Sequence, residues 1–230
     1  MMKMISLRHF SINTKSYKKA CASLSKIGNV LGKGCYSEVY ALNSIPNLAI
    51  RISDRLDGFL RYATLIETGM VPSRILPHCP TIIDMALTED GGSICLVERL
   101  DKSNKSTPLI NTIQLFLNNK ISIKNIPHPI DEQAENIKEL SEYIKDVMDI
   151  KKLDLHTRNF LFRNGNVVCN DPISGPVSIL ELNEIYESSQ FANIFPSLSK
   201  TYEKAILNIE DHYAEMHIDE TIECNHHMIF

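Results

Sequence analysis

The stretch DLHTRNFLFRNGNVVCND, residues 154–171, contains side chains whose types and spacing suit metal and phosphate chemistry. Asp154 and Asn159 precede an Asn164-Gly165 pair, and Asp171 follows it. Asn-Gly is a strong signal for a two-residue type I′ turn, because both central positions of that turn need a positive φ. The sequence therefore predicts a hairpin that returns Asp171 to the neighbourhood of Asn159. A carboxylate and an amide brought together offer the oxygen ligands that Mg²⁺ prefers.

A glycine-containing segment near the start of the chain matches the pattern G-x-G-x-x-[GS]-x-V. In this pattern the loop backbone comes close to triphosphate oxygens, and the valine packs over the base. Two nearby glycines alone usually mark only a hairpin turn. However, Ala49-Ile50-Arg51 follows at the distance at which a kinase has V-A-I-K. The matching residues of the loop are Gly32, Lys33, Gly34, Cys35, Tyr36, Ser37 and Val39.

Asp154 and Asn159 also fit D-x-x-x-x-N, and Asp171 stands where the aspartate of D-F-G would lie. Turn capping would explain any one of these elements. It does not explain why the glycine loop, Ala49-Ile50-Arg51, the D-x-x-x-x-N pattern and Asp171 occur in the correct order with correct gaps. The order predicts that Asp154 faces a phosphate acceptor and that Asn159 and Asp171 hold Mg²⁺. Arg51, helped by Lys33, would contact the phosphates of ATP.

The adenine of that nucleotide would contact a second group of residues. Val39 and Ala49 would lie on either side of the base. Backbone groups near its edge and one further apolar side chain complete the predicted contacts, which come from Val97, Glu98, Arg99 and Leu161.

The elements that must position these residues begin with a β-rich part. The glycine turn lies between two β-rich flanks within residues 29–43, and further strands are predicted at 47–53, 81–87 and 93–100. One helix is inserted after the third strand, with Asp54 or Asp57 as its N-cap. Its apolar positions recur at helical spacing and are Phe59, Tyr62, Ala63 and Ile66.

Beyond Leu100 the pattern becomes helical. A helix beginning at Asp131 has one apolar face, and the hairpin follows it with strands at 161–163 and 166–169. The face comprises Ile137, Leu140, Ile144, Val147 and Met148. A final helix is predicted from Tyr202, Ala205, Ile206, Ile209 and Tyr213.

These elements predict an α+β, protein-kinase-like fold with two lobes. The N-lobe is a five-stranded antiparallel sheet with one helix, and the C-lobe is reduced and mainly helical. The predicted boundaries are a basic extension at 1–28, the N-lobe at 29–100 and the C-lobe at 101–230. The C-lobe contains a catalytic loop at 152–159, and a hinge is predicted near 100–105.

Composition limits the classes of partner. The net charge of −4 argues against direct nucleic-acid binding, although no acidic residue occurs before Glu38. The longest uncharged run, 106–119, is too short and too polar to span a bilayer. The six cysteines show no ligand spacing and no CxxC pairing. Together with the absence of a secretory apolar segment, this predicts reduced thiols in a cytoplasmic protein.

The sequence resembles the early serine/threonine protein kinases of T-seven-type bacteriophages over about residues 30–180. The resemblance is carried by LGKGCYSEVY, by PNLAIRIS and most closely by DLHTRNFLFRNGNVVCNDPIS, in which Asp-Pro replaces the usual Asp-Phe-Gly. It implies an ATP- and Mg²⁺-dependent enzyme that phosphorylates host proteins, and a further candidate substrate is the kinase itself. It also implies action in the cytoplasm of a bacterial host.

Several residues depart from the usual kinase pattern. Arg51 occupies the lysine position, and its planar guanidinium is not interchangeable with a compact ammonium. Lys152-Leu153 replaces the usual His-Arg, and no A-P-E follows. Regulation by activation-loop phosphorylation is therefore not expected. The acidic partner of the strand-three cation is either Glu67 or Asp57.

Two alternatives to a protein kinase stay open at this point. Aminoglycoside and choline kinases also use D-x-H-x-x-N, which Asp154-Leu155-His156 fits, although they usually carry a longer helical acceptor lobe. Arg51 favours a pseudokinase that binds a partner and transfers nothing. The intact Asp154, Asn159 and Asp171 oppose that alternative.

Overall fold

The computed structural model describes residues 5–102, 107–178, 181–184, 195, 197–206 and 208. The chain divides into two compact units, each assembled from separate segments. The sheet unit comprises residues 1–56, 83–97 and 177–230, and the helical unit comprises residues 57–82 and 98–176. The predicted boundaries at residues 28 and 100 instead cut the chain into consecutive pieces, and that division stays a prediction.

A five-stranded sheet has the order β1-β2-β3-β5-β4. Neighbouring strands β1 to β3 pair in antiparallel fashion, as a chain of short hairpins requires. Each predicted strand is present to within two residues at its ends. Their bounds are β1 Gly28–Lys33, β2 Ser37–Leu42, β3 Leu48–Ser53, β4 Ile82–Leu87 and β5 Ser93–Glu98.

Helix α1, Tyr17–Ile27, covers one face of this sheet, in a segment predicted only as a basic extension. The side chain of Ser16 accepts a hydrogen bond from the Lys19 N–H and caps the helix. The Tyr17 N–H donates to both carboxylate oxygens of Asp90, each at 3.0 Å. The apolar face of α1 packs on the sheet in a core that includes Ala20, Leu24, Tyr40, Leu42, Ile50, Ile52, Ile94 and Leu96.

A buried carboxylate joins distant parts of the sheet unit. Asp84 on β4 is fully buried. Its oxygens accept hydrogen bonds from the Leu7 N–H at 2.8 Å and from the N–H and hydroxyl of Ser197. Because an ionised carboxylate is costly to bury without donors, these bonds fix both segments to the strand.

In its described residues, the helical unit contains three α-helices and a small hairpin. The helices are α2 Gly58–Glu67, α3 Thr107–Leu117 and α4 Ile130–Met148, and the hairpin strands are β6 Phe160–Arg163 and β7 Asn166–Cys169. Helix α2 begins after Asp57, as one of the two predicted N-caps requires, although the Asp57 side chain makes no capping bond.

Helix α4 buries most of its predicted face against the core of this unit. Ile137, Leu140 and Ile144 are buried, whereas Val147 is 46% exposed. The prediction for Val147 is wrong because α4 ends one residue later at Met148, and the chain then turns through Asp149 in the left-handed region. In the predicted final helix, residues 197–206 and 208 are helical, while Ile209 and Tyr213 lie outside the described residues.

The predicted α+β class is confirmed, with a five-stranded antiparallel sheet, a helix after its third strand and a mainly helical remainder. The order of elements is the one predicted for a protein-kinase-like fold. In the part of the chain that the structure describes, every helix is too short or too polar to cross a bilayer.

Candidate active site

The hairpin in the helical unit has the turn that the sequence predicts. Asn164 has a φ of 50° and Gly165 a φ of 87°, so both central residues lie in the left-handed region of a type I′ turn. The paired strands place Phe160 opposite Cys169. The residues that flank this pair, Asn159 and Asn170, are thereby brought together.

Backbone and amide hydrogen bonds hold the three predicted polar residues around the base of the hairpin. The Asn170 N–H donates to the Asn159 carbonyl at 2.7 Å, and the Asn159 side-chain amide donates to the Asp154 carbonyl at 2.8 Å. The Asp154 N–H in turn donates to the Pro172 carbonyl at 2.8 Å. Asp171 lies between Asn170 and Pro172, so these bonds hold the residues on either side of it next to Asn159 and Asp154.

The electrostatics of a buried thiol support this clustering. Burial raises the pKa of the Cys169 thiol, and the carboxylates of Asp171 and Asp154 are close enough to raise it further. The Asp154 side chain is exposed, and no described residue hydrogen-bonds its carboxylate. Asp154 therefore has an accessible carboxylate on a backbone that is held at both ends.

Helix α2 supports the same segment from the other side. An added Cβ at Gly58 would lie 2.2 Å from the Ile173 carbonyl oxygen, so only glycine allows this approach. Further along the helix, the buried Tyr62 hydroxyl donates to the Cys169 carbonyl at 2.9 Å. The two contacts fix the backbone on either side of Asp171.

Arg163, at the end of β6, was missed by sequence reasoning. Its guanidinium donates to the Glu98 carboxylate, with one nitrogen–oxygen distance of 2.8 Å. It also donates to the carbonyls of Pro77 and Cys79, at 3.0 and 2.8 Å. Arg163 thus joins the hairpin to the end of β5 and to the preceding loop. The only sequence signal was its place beside the Asn-Gly turn, because its partners lie 65 or more residues away.

The structure gives hydrogen bonds for some of the residues predicted to contact adenine at and after the end of β5. The Glu98 N–H donates to the Thr81 carbonyl at 3.0 Å, and the segment continues with two hydrogen bonds between Asp101 and Phe162. The Glu98 N–H is therefore engaged within the protein. Leu161 is half-buried on the hairpin face opposite the core residue Phe162, as a base contact would require. Contacts from Val97 and Arg99 stay predictions.

The sheet register places the other predicted nucleotide residues on one face. Val39 pairs with Arg51 and Ala41 pairs with Ala49, so Val39, Ala49 and Arg51 share a face by the two-residue alternation of strands. Val39 is half-buried, and Arg51 is only 6% exposed. The predicted sandwich of Val39 and Ala49 is compatible with this arrangement.

Lys33 lies on the opposite face of the sheet, the face on which α1 packs. It pairs with Glu38, and its ammonium contacts the Glu38 carboxylate at 2.7 Å. Glu38 also accepts a hydrogen bond from the Tyr40 hydroxyl at 2.6 Å. The hydrogen bond to Glu38 raises the pKa of Lys33. The sheet therefore does not bring Lys33 together with Arg51, the residue that it was predicted to help.

The glycine loop is a tight hairpin in which the Gly34 N–H donates to the Ser37 carbonyl at 2.7 Å. Neither Gly32 nor Gly34 has a positive φ, so the backbone conformation does not require glycine at these positions. Cys35 and Tyr36 are exposed, and the guanidinium of Arg55 lies 3.8 Å from the centre of the Tyr36 ring. An added Cβ at Gly34 would lie 3.2 Å from the Ser37 hydroxyl oxygen, which is closer than an ordinary contact, so the loop packs tightly at this glycine.

Glu67 ends helix α2 and is half-buried. Burial raises its pKa above the ordinary value, and a hydrogen bond from the Ile82 backbone partly offsets this. Within the described residues Glu67 has no ion-pair partner. This arrangement gives no support to Glu67 as the partner of a cation, and Asp57 stays the other candidate.

The donor set near the hairpin fits magnesium better than zinc. No three His, Cys, Asp or Glu side chains of the described part of the chain form a metal-binding group. Asn159 and Asp171 offer one amide and one carboxylate oxygen. Two oxygen donors suit Mg²⁺, which keeps several waters and binds substrate phosphates, and they do not suit a closed structural zinc site.

Comparisons with known proteins give only a weak structural likeness. No protein-family model matches the sequence, and no curated protein matches it either. Among solved structures, the chain is similar to the apo form of a thermostable mutant of aminoglycoside phosphotransferase APH(4)-Ia. The TM-score is 0.35, with 11% identity, covering 77% of this chain and 76% of that one. It is also similar to APH(2″)-IIa in a ternary complex with streptomycin and ATP. The TM-score there is 0.24, with 14% identity, covering 69% of this chain and 71% of that one. TM-scores this low identify no function, and the resemblance to phage kinases stays a hypothesis.

Proposed function

We propose that this protein transfers phosphate from ATP to serine or threonine hydroxyls of other proteins. The observation that carries the proposal is the set of hydrogen bonds that joins Asp154 to Asn159 and holds the two neighbours of Asp171, Asn170 and Pro172, beside them. If these residues only capped local turns, each could do so by itself and they would not need to lie together. A shared arrangement of two carboxylates and an amide is what phosphoryl transfer requires for positioning and charge neutralisation.

Asp154 would orient the acceptor hydroxyl and accept its proton. Its carboxylate is exposed and has no hydrogen-bond donor among the described residues, so it is available to a substrate. Its backbone is held by Pro172 and Asn159, which limits the positions that the carboxylate can take. A general base must lie within hydrogen-bond reach of the proton that it accepts, and a fixed backbone favours this.

Asn159 and Asp171 would hold Mg²⁺ through their side-chain oxygens. The ion, when bound, supplies positive charge that neutralises the phosphates of the nucleotide. The Asn159 amide nitrogen is already committed to the Asp154 carbonyl, which turns the amide oxygen away from that bond and leaves it for another partner. Asp171 supplies the charged oxygen that such an ion prefers.

The sheet unit would supply the nucleotide contacts. Val39 and Ala49 share a face with Arg51, so apolar contacts for a base and a cation for phosphate would come from one face of the sheet. Arg51 keeps the positive charge of the usual lysine, although its geometry differs. The resemblance to phage kinases supports protein acceptors in a bacterial host. Transfer to a small molecule and binding without transfer stay the alternatives.

The test is transfer of labelled phosphate from ATP to proteins of a bacterial lysate with Mg²⁺ present. Asp154→Ala should reduce transfer by roughly a hundredfold or more while nucleotide affinity changes little. Asp146→Ala removes an exposed aspartate from α4 and is the matched control, with transfer unchanged. Full transfer by the Asp154 variant would remove this residue from the mechanism. Transfer to an antibiotic or to choline, and to no protein, would favour the small-molecule alternative.

A further inference from the structure

The loop around Asp154 presents an unusual charge pattern. Exposed side chains alternate with side chains turned to the core: Leu153 is buried, Leu155 packs against the core, and Lys152, Asp154 and His156 are exposed. Such an alternation puts every second side chain on one side of an extended segment. On the exposed side of the segment, the side chain that precedes Asp154 is therefore a cation, Lys152.

Two further cations lie at the same loop, and none of the three is neutralised. Lys151, Lys152 and Arg158 are exposed, and none forms an ion pair with any residue that the structure describes. Other cations of the helical unit do have acidic partners, such as Arg74 with Glu139 and Arg163 with Glu98. The catalytic loop thus carries three exposed cations that form no ion pair with the described residues.

Helix α3, which contacts the loop, does not offset this charge. The Gln114 side chain of α3 donates to the Leu155 carbonyl at 3.1 Å, which fixes α3 to the loop. Helix α3 has no charged residue along its whole length, Thr107–Leu117. From residue 149 to residue 158, Asp149 is the only acidic side chain other than Asp154. The three cations of this segment outnumber its two acidic side chains, and an excess of positive charge attracts ligands of the opposite sign.

We propose that the acceptor is a serine or threonine within an acidic protein segment, which Lys151, Lys152 and Arg158 hold beside Asp154. This inference rests on the proposed phosphotransfer function and specifies its substrate class. The same charges repel polycationic acceptors such as aminoglycosides, because like charges at a binding surface act against the wrong partner.

The experiment compares two degenerate peptide pools that contain serine and threonine in equal amounts. One pool has Asp and Glu at the positions flanking the hydroxyl residue, and the other has Lys and Arg there. The wild-type chain should phosphorylate the acidic pool with a kcat/KM roughly tenfold higher or more, and the preference should shrink at high salt because exposed charges are screened. An aminoglycoside should accept no phosphate.

A charge-removal variant tests which residues cause the preference. Lys151→Ser combined with Lys152→Ser should lower kcat/KM for the acidic pool by roughly three- to tenfold, mainly through KM, because each exposed charge pair contributes little alone. Transfer to the basic pool should not fall. Lys18→Ser combined with Lys19→Ser removes the same charge from exposed positions of α1 and should leave both rates unchanged.

The outcomes separate the two proposals. Equal rates for both pools, or a preference for the basic pool, would overturn the acidic-acceptor inference and leave phosphotransfer standing. An equal effect of the α1 variant would also overturn it, because net charge and not the loop would then be the cause. Absence of transfer from ATP to every acceptor, in the wild type and in Arg51→Lys, would refute the proposed function and the inference with it.

Discussion

Replacing Arg163 by methionine should destabilise the protein substantially, because the guanidinium has several partners and little exposure. It donates to Glu98, Pro77, Cys79 and Thr81, and the Arg163 and Glu98 side chains are only 27% and 19% exposed. Methionine retains much of the apolar stem but leaves the Glu98 carboxylate and two carbonyls without these donors.

The expected loss in the free energy of unfolding for Arg163→Met lies between two limits. Exposed ion pairs contribute about 0.2–1 kcal/mol, whereas removing one partner of a buried pair costs about 3–5 kcal/mol. For this partly exposed pair we expect a loss of about 2–3 kcal/mol. With a denaturant slope of about 2–3 kcal/mol per molar, the midpoint of urea unfolding should fall by about 1 M.

Circular dichroism is the suitable measurement, because the sequence contains no tryptophan. Arg74→Met is the matched control: Arg74 also pairs with a glutamate, Glu139, but its side chain is 71% exposed. The control should change the free energy of unfolding by less than about 1 kcal/mol. A midpoint shift for Arg163→Met no larger than that of Arg74→Met would refute the conclusion that this network stabilises the hairpin.

Three further predictions concern the site and its surroundings. Asp171→Asn should weaken nucleotide binding with Mg²⁺ far more than without it, as thermal shifts with ATP alone and with ATP plus Mg²⁺ would show; equal loss in both would indicate a folding role. Arg51→Lys should raise the transfer rate by roughly tenfold, or ~1.4 kcal/mol of barrier, whereas Lys33→Ala should leave it unchanged because Lys33 is bonded to Glu38 on the other sheet face. Loss of transfer in Lys33→Ala would reverse this assignment. Burial raises the pKa of Glu67 from its ordinary value of 4.5, so the folded state binds this proton more tightly and stability falls as pH rises above 4.5. Glu67→Gln should therefore melt at a higher temperature than the wild type at pH 7 but not at pH 4, and equal melting at pH 7 would contradict it.

Local signals account for the parts of the fold that were predicted correctly. The Asn164-Gly165 pair alone determines a turn with two positive φ angles, and the strand pairing that follows brings Asn159 to Asn170. In α4 the apolar spacing identified Ile137 and Ile144 as core residues. These features depend on neighbours within a few positions, so the sequence contains the information directly.

Helix α1 shows how a correct local signal can be outweighed. Ser16 is a good N-cap, and Tyr17, Ala20 and Leu24 recur at helical spacing. The run of basic residues without acidic ones nevertheless favoured a solvated extension. The charges lie on the exposed side of the helix, and it is the opposite side that packs on the sheet.

Other features could not be predicted because their partners are distant in sequence. Arg163 and Glu98 are 65 residues apart, and the carbonyls that Arg163 binds are further still. The face on which Lys33 lies depends on a register shift between Val30 and Gly32, which alternation in the sequence does not reveal. In each case the position of a second strand or loop decides the partner.

The hydrogen bonds of Asp84 also have a consequence for the order in which parts of the chain fold during synthesis. A ribosome releases Leu7 and β4 long before Ser197, yet all three meet at one buried carboxylate. Until Ser197 emerges, Asp84 lacks two of its donors and its burial is incompletely compensated. The residues of the helical unit, 57–82 and 98–176, are all synthesised before that point. Because domains generally fold as units during synthesis, we expect the helical unit to mature first. The nascent sheet unit would then await the last segment of the chain.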